Sequence, residues 1–169
     1  MSDKIVNRVA KSNLITIDLE DLYPKNIRTV FDITDWLFER LILKEKDFRE
    51  AVENHNWGQY DGHYVVLTCS ADAIIPSWAY MLITTKLTPF AKKIVAGNLE
   101  LLETAIFHDI ISNLDITEYK ERPVIIKGCS DKPIPQTAYL QLIEKLQPFV
   151  KSIMFGEACS TVPLYKALK

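Results

Sequence analysis

Three cysteines carry the most distinctive chemistry in this chain, because two of them recur in a repeated context. Cys69 lies in "VVLTCSADAIIPSWAY" and Cys129 lies in "VIIKGCSDKPIPQTAY". Both stretches run from apolar residues through Cys-Ser and an Asp to Ile-Pro and Ala-Tyr. Cys159 repeats the Cys-Ser dipeptide near the C-terminus. Because thiolates bind zinc, iron and iron–sulfur clusters, we expect Cys69, Cys129 and Cys159 to be metal ligands.

Polar residues close to the first two cysteines are candidates for the same site. Ser70 and Ser130 follow them directly and are candidate hydrogen-bond donors to a neighbouring sulfur. Asp72 and Asp131 are candidate hard ligands or proton acceptors beside a thiol. The alternative for all four is structural, since Ser and Asp also satisfy backbone N–H groups in turns and helix caps.

The two cysteine stretches belong to an internal repeat. Pro76 aligns with Pro135, which fixes an offset of 59 (135 − 76) and relates residues 48–97 to residues 107–156. A self-match at a fixed period indicates a duplicated structural unit. Cys159 lies outside the repeat, because the same offset places Glu100 opposite it. The aligned identities include Val65/Val124, Asp72/Asp131, Ile75/Ile134, Ala79/Ala138, Tyr80/Tyr139, Pro89/Pro148, Phe90/Phe149 and Gly97/Gly156.

Each repeat predicts the order helix, strand, helix, strand. "YVVLT" and "PVIIK" are short and β-branched, which is typical of buried strands, and a helix begins after the proline that follows each cysteine. Crossovers of this length give parallel strands. We therefore expect an α/β fold in which one mostly parallel sheet has helices on both faces. The cysteines then lie at its carboxyl edge, where such sheets bind ligands.

The first 47 residues do not repeat. "NLITIDLEDLYPKNIRTVFDI" alternates, turns near Pro24 and alternates again, which predicts two strands in an antiparallel edge or cap. Residues 34–46 fit either a short helix or a strand. We expect a single domain over 1–169, with the cap at 1–47, repeat one at 48–104, and repeat two with a C-terminal tail at 105–169.

Composition narrows the classes of function. The hydrophobic fraction is 48% and the net charge is −2, so no basic face for nucleic acid is expected. No apolar run reaches the ~20 residues of a membrane span. The five glycines are too scattered to form a phosphate-binding loop, so no nucleotide cofactor is expected. The N-terminal stretch has no signal-like apolar core. We therefore expect a cytoplasmic protein without disulfides.

Four stretches of the chain resemble a bacterial family catalogued as a domain of unknown function, number twenty-four eighty. They are "WLFERLILKEKDFREAV", "TCSADAIIPSWAY", "IKGCSDKPIP" and "GEACSTVPLYK". The resemblance covers nearly the whole chain. It supplies no established activity, and it implies that the protein accompanies iron–sulfur cluster assembly proteins.

Two hypotheses from different classes follow. In the first, the thiolates hold zinc, iron or an iron–sulfur cluster, and the partners are iron–sulfur assembly proteins. In the second, the cysteines are inert, and a structural or adaptor protein binds its partner, or a second copy of itself, through the apolar helix "SWAYMLI". Thiol catalysis is a weaker third hypothesis, since the sequence places no histidine where it could act as a base for the thiol.

Overall fold

The computed structural model describes residues 13–128, 131–157 and 160–168. These residues form strands and helices in alternation, and most strand pairs are parallel. The fold class predicted from the sequence, mostly parallel α/β, is therefore confirmed. The strands are β1 Ile15–Ile17, β2 Arg28–Asp32, β3 Tyr64–Thr68, β4 Lys93–Ala96, β5 Pro123–Ile126, β6 Ser152–Glu157 and β7 Ser160–Lys166, and the α-helices are α1 Glu45–Asn54, α2 Ser77–Leu87, α3 Leu99–Ser112 and α4 Gln136–Leu146.

The strands form two sheets rather than the single sheet that the sequence predicts. One sheet has the order β2-β3-β4 and is parallel throughout. The other has the order β1-β5-β6-β7, parallel except for the final antiparallel pair. The reason is that each repeat contributes two parallel strands and receives a third from the N-terminal segment. Each repeat thereby completes a sheet of its own.

The predicted antiparallel pairing of the N-terminal strands is wrong. β1 pairs in parallel with β5, and β2 pairs in parallel with β3. Residues 18–27 connect β1 to β2 and include a 3₁₀ turn at Leu19–Leu22 that Asp18 caps. This connection is longer than the two to five residues of a common hairpin loop. Instead of forming a cap, the N-terminal segment supplies an edge strand to each sheet.

The chain divides into two compact units, each with its own hydrophobic core. Unit 2 is Pro24–Ile106, and unit 1 combines Met1–Tyr23 with Phe107–Lys169. The repeat is visible in these cores, because large apolar side chains at offset 59 are buried in both units. The matched buried pairs are Phe48/Phe107, Val52/Ile111, Ala79/Ala138, Ile83/Leu142 and Leu87/Leu146.

Prolines set the limits of the two repeated helices, as the sequence predicts. Pro76 and Pro135 stand at the N-cap positions with extended backbone, directly before α2 and α4. Each helix ends two residues before the next proline, which has no backbone N–H with which to continue the helix. The C-cap residues Thr88 and Gln147, directly before these prolines, keep helical backbone angles. The longest helix is α3, with 14 residues. Within the described ranges, no helix combines the length and the apolar character needed to cross a membrane.

Candidate functional site

A polar network lies at the carboxyl ends of β2 and β3 in unit 2. Its centre is Thr34, which follows β2 and is only 1% exposed. The Thr34 hydroxyl donates to Asp32 Oδ1 at 2.6 Å, and its oxygen accepts the backbone N–H groups of Ser70 at 3.0 Å and Ala71 at 3.2 Å. The loop that follows β3 is therefore tied to the end of β2 by one buried hydroxyl.

Asp32 supplies the negative charge of this network. Burial acts to raise the pKa of its carboxyl group, but hydrogen bonds from Ser70 and Thr34 outweigh burial and lower that pKa well below its usual range. The Ser70 N–H donates to Asp32 Oδ1 at 3.1 Å, and the Thr34 N–H donates to the same oxygen at 3.0 Å. Asp32 is therefore a permanent carboxylate acceptor near neutral pH.

Cys69 lies half-buried at the edge of the network as a free thiol. Its sulfur is 3.6 Å from Thr34 Oγ1 and 3.7 Å from the carbonyl oxygen of Ala71. Tyr80 lies in the first turn of α2. Burial, followed by electrostatic interactions with Cys69 and with the Asp32 carboxylate, raises the pKa of Tyr80. The site thus combines the thiol of Cys69, which contacts a hydroxyl and a carbonyl oxygen, with the phenol of Tyr80, which stays protonated.

The predicted site residues of unit 2 do not all enter this network. Cys69 and Ser70 belong to it, and the Ser70 hydroxyl lies 3.1 Å from Thr34 Oγ1. Asp72 is exposed in the turn that follows. The carboxylate that fixes the loop comes from Asp32 instead. The role expected for Asp72 beside a thiol therefore stays a prediction.

Unit 1 has a more highly charged arrangement at the corresponding place. Glu20 Oε1 accepts the backbone N–H groups of Asp131 and Lys132, the latter at 2.8 Å. Lys127 Nζ lies 2.6 Å from Asp18 Oδ2. Burial acts to raise the pKa of Asp18, but hydrogen bonds, chiefly from Lys127, lower it, and the bond to Asp18 raises the pKa of Lys127. Carboxylates and a lysine thus anchor this loop.

The remaining predicted residues are Cys129, Ser130 and Cys159, and they lie outside the described residues. Asp131 is described and has an exposed side chain. Across the described ranges, no group of three or more His, Cys, Asp or Glu side chains is arranged to hold a metal ion. The metal set expected from the sequence therefore stays a prediction.

An apolar groove adjoins the repeated helix in each unit. The groove of unit 2 has a volume of about 420 Å³ and that of unit 1 about 300 Å³. Tyr80 and Tyr139 occupy matched positions in the two linings. In unit 1 the lining also includes Leu164 from β7. The lining residues are Leu67, Ser77, Tyr80, Met81, Thr84, Ile94 and Ala96 in unit 2, and Ile126, Gly128, Gln136, Tyr139, Leu140, Ile143, Phe155 and Leu164 in unit 1.

The 59-residue repeat does not indicate four of the residues that anchor the two loops, because these residues precede the repeat in the sequence. Asp18 and Glu20 follow β1, Asp32 is the last residue of β2, and Thr34 follows β2. A second self-match was available at an offset of 14 (32 − 18), where "ITIDLE" and "TVFDIT" share an alternating strand followed by Asp. The strand registers agree with it, since β1 and β2 meet matched positions of β5 and β3.

Fold and site together define a mostly parallel α/β protein of two repeated units, in which acidic and hydroxyl side chains anchor a loop at the carboxyl edge of each sheet. The family model described as protein of unknown function (DUF2480) matches residues 3–167, and the chain therefore belongs to this family. The resemblance of its four sequence stretches is confirmed. No curated protein matches the chain, and no solved structure does.

Proposed function

We propose that the protein holds a metal ion or an iron–sulfur cluster through the thiolates of Cys69, Cys129 and Cys159, in association with iron–sulfur cluster assembly. One observation carries the proposal: the described residues next to Cys129 and Cys159 both adjoin β6 at the carboxyl edge of the sheet of unit 1, one on each side of that strand. Thiolate ligands at one edge suit zinc, iron or a transiently held cluster.

The strand that precedes Cys129, β5, and the strand that follows Cys159, β7, both pair with β6. Gly128 precedes Cys129, and a Cβ atom at Gly128 would lie 3.4 Å from the Cα of Gly156 in β6. Ser160 follows Cys159 and begins β7, which pairs with β6. Consecutive Cα atoms are ~3.8 Å apart. Both cysteines are therefore joined covalently to residues that adjoin β6 at the same edge.

Cys69 is the proposed third ligand, and its half-buried thiol favours that role. Cys69 packs against the margin of the unit 2 core, and its sulfur makes weak contacts to a hydroxyl and a carbonyl. Three thiolates leave a fourth position for water, for a partner's ligand, or for the exposed carboxylate of Asp72 or Asp131. Ser70 and Ser130 are the proposed donors to the bound sulfurs.

Metal analysis of the full chain tests the proposal. The protein is purified anaerobically without chelators, its zinc and iron are quantified by mass spectrometry, and its visible absorbance is recorded. We expect about one metal site per chain and a loss of most of the metal in Cys129→Ser and Cys159→Ser. Ser160→Ala is the matched control, because it changes the adjacent residue and keeps every thiol. Metal-free wild-type protein would refute the proposal.

Cys69→Ser separates a three-thiolate site from a two-thiolate site. If Cys69 is a ligand, the variant loses metal as the other two cysteine variants do. Retention of wild-type metal content by Cys69→Ser, with loss in the other two, would remove Cys69 from the site and leave a pair in unit 1. Thermal unfolding of each variant shows whether a lost metal reflects a lost ligand or a lost fold.

An adaptor function is the second candidate, and exposed apolar side chains on the repeated helices favour it. Met81 on α2 is 66% exposed and Leu140 on α4 is 58% exposed. In this case Met81→Glu or Leu140→Glu weakens binding to a purified iron–sulfur scaffold protein, measured by calorimetry, while the cysteine variants bind normally. The opposite pattern favours the metal-dependent function.

The proposed location is the cytoplasm, where thiol ligands stay reduced. Rapid acid quenching of cells, followed by alkylation and mass measurement, should find all three cysteines reduced. A linked pair of cysteines in the quenched sample would contradict it.

A further inference from the structure

The chain that leads into Cys129 is fixed to the end of β1. β1 pairs in parallel with β5, and directly beyond this pairing the Lys127 N–H donates to the carbonyl oxygen of Ile17 at 2.9 Å. The Lys127 ammonium group also donates to the Asp18 carboxylate. Lys127 stands two residues before Cys129. The entry to the cysteine segment is therefore anchored both by backbone and by side chain.

The chain that leaves Cys129 is fixed to the same segment, through the carboxylate of Glu20. This half-buried residue lies in the 3₁₀ turn that follows β1. Its Oε1 accepts the backbone N–H groups of Asp131 and Lys132, which stand two and three residues after the cysteine. Hydrogen bonds to a carboxylate are roughly twice as strong as bonds between neutral groups. Both described flanks of Cys129 are therefore held by residues 17–20.

Unit 2 has the same construction around Cys69, with a different side chain in the place of Glu20. Asp32 pairs with Thr68 directly before the cysteine, and the Thr34 hydroxyl accepts the N–H groups of the two residues directly after it. Thr34 corresponds to Glu20 at the offset of 14 that relates β2 to β1. The short threonine holds the first and second residues after its cysteine, whereas the longer glutamate holds the second and third. In both units, the length of this side chain therefore decides which loop residues are held.

Given the metal-binding function proposed above, on which this role rests, we propose that Glu20 is a positioning residue that holds the Cys129 thiolate at bonding distance from the metal. Groups that orient metal ligands from outside the coordination shell typically contribute about 10–100-fold to metal affinity. The partners of Glu20 are neutral backbone N–H groups. The reach of its side chain therefore matters more than its charge.

Two conservative variants of Glu20 separate reach from charge. Glu20→Gln keeps an acceptor oxygen at the same reach and loses the charge, whereas Glu20→Asp keeps the charge and is one methylene shorter. The zinc affinity of the full chain is measured anaerobically by competition with a chromophoric chelator. We expect Glu20→Asp to raise the Kd for zinc at least about tenfold, and Glu20→Gln to stay nearer to wild type. Asp21→Asn is the matched control, because it removes a carboxylate from the exposed next residue, and it should leave the Kd unchanged.

Cobalt absorption shows whether a lower affinity arises at the thiolates. Metal-free protein saturated with Co²⁺ has a thiolate-to-cobalt absorption band, and its intensity follows the number of bound sulfurs. We expect a weaker band in Glu20→Asp than in wild type, Glu20→Gln and Asp21→Asn. Thermal unfolding of the metal-free proteins, followed by circular dichroism, should give the same melting temperature for all four. A merely structural role would instead lower the melting temperature of Glu20→Asp and leave its band at saturation unchanged.

The possible outcomes separate this role of Glu20 from metal binding itself. Wild-type protein that binds neither zinc nor cobalt refutes both. Metal binding by wild type with an unchanged Kd in Glu20→Asp refutes the positioning role alone. A larger loss of affinity in Glu20→Gln than in Glu20→Asp, or an equal loss in Asp21→Asn, refutes it as well. If Glu20→Asp does not fold, Glu20→Ala, which has no acceptor oxygen, must show the tenfold loss.

Discussion

Thr34→Val removes one hydroxyl and keeps the shape of the side chain, so it isolates the network that anchors the loop after β3. The Thr34 oxygen serves Asp32, Ser70 and Ala71 within 3.2 Å, and the residue is 1% exposed. Valine fills the same space without accepting or donating a hydrogen bond. The change therefore costs hydrogen bonds and leaves packing in place.

The expected cost follows from what each partner loses. The half-buried Ala71 N–H loses the Thr34 acceptor, and this loss lies at the low end of the about 1–3 kcal/mol that an unsatisfied buried donor costs. The hydroxyl bond to the Asp32 carboxylate is charge-assisted, and such bonds contribute about 1.5–3 kcal/mol. The Ser70 N–H keeps the Asp32 oxygen at 3.1 Å, and Asp32 is open to water. We therefore expect a loss of about 2–4 kcal/mol in the free energy of unfolding.

Urea denaturation followed by tryptophan fluorescence measures this loss of stability in unit 2, which contains Thr34. All three tryptophans, Trp36, Trp57 and Trp78, belong to unit 2. Thr85→Val is the control, since Thr85 is exposed on α2 and its hydroxyl bonds its own helix. The control should stay within about 0.5 kcal/mol of wild type. A Thr34→Val protein as stable as the control would refute the assigned role of this hydroxyl.

Three further substitutions have a predicted effect on the stability of the fold. Burial lowers the pKa of His55 from 6.5, so on acidification the unfolded state binds a proton at His55 before the folded state does. Unit 2 therefore loses stability as pH falls below about 6.5. His55→Gln should weaken this pH dependence of the free energy of unfolding, measured by urea titrations. Glu103→Ala leaves the largely buried Arg28 without a carboxylate 2.7 Å away and should cost about 3 kcal/mol by the same fluorescence assay. Gly156→Ala should destabilise more than Gly97→Ala in thermal unfolding followed by circular dichroism, because its Cβ would lie 2.5 Å from a backbone oxygen rather than 2.9 Å from a flexible side chain.

Local patterns predicted the elements of the repeat well. "YVVLT" is β-branched and apolar, and it forms β3 at Tyr64–Thr68. Prolines stop and start α2 and α4 near the expected residues. These outcomes depend on short-range chemistry, namely strand propensity, proline geometry and burial of one helix face, and a single sequence records all of them.

The pairing of the N-terminal strands was not predictable in the same way. Alternation around Ile15 and Val30 identifies strands but does not identify their partners, since pairing depends on contacts with residues far along the chain. The network was missed for the same reason. Thr34 becomes important only because β2 lies beside β3, which brings its hydroxyl to the loop at Ser70.

X-ray absorption at the zinc or iron edge of the anaerobically purified full chain is the most direct test of thiolate metal binding. We predict a first shell dominated by sulfur at about 2.3 Å, with fewer sulfur neighbours in Cys129→Ser and Cys159→Ser. A first shell made only of nitrogen and oxygen at about 2.0–2.2 Å, unchanged in both variants, would contradict a thiolate site.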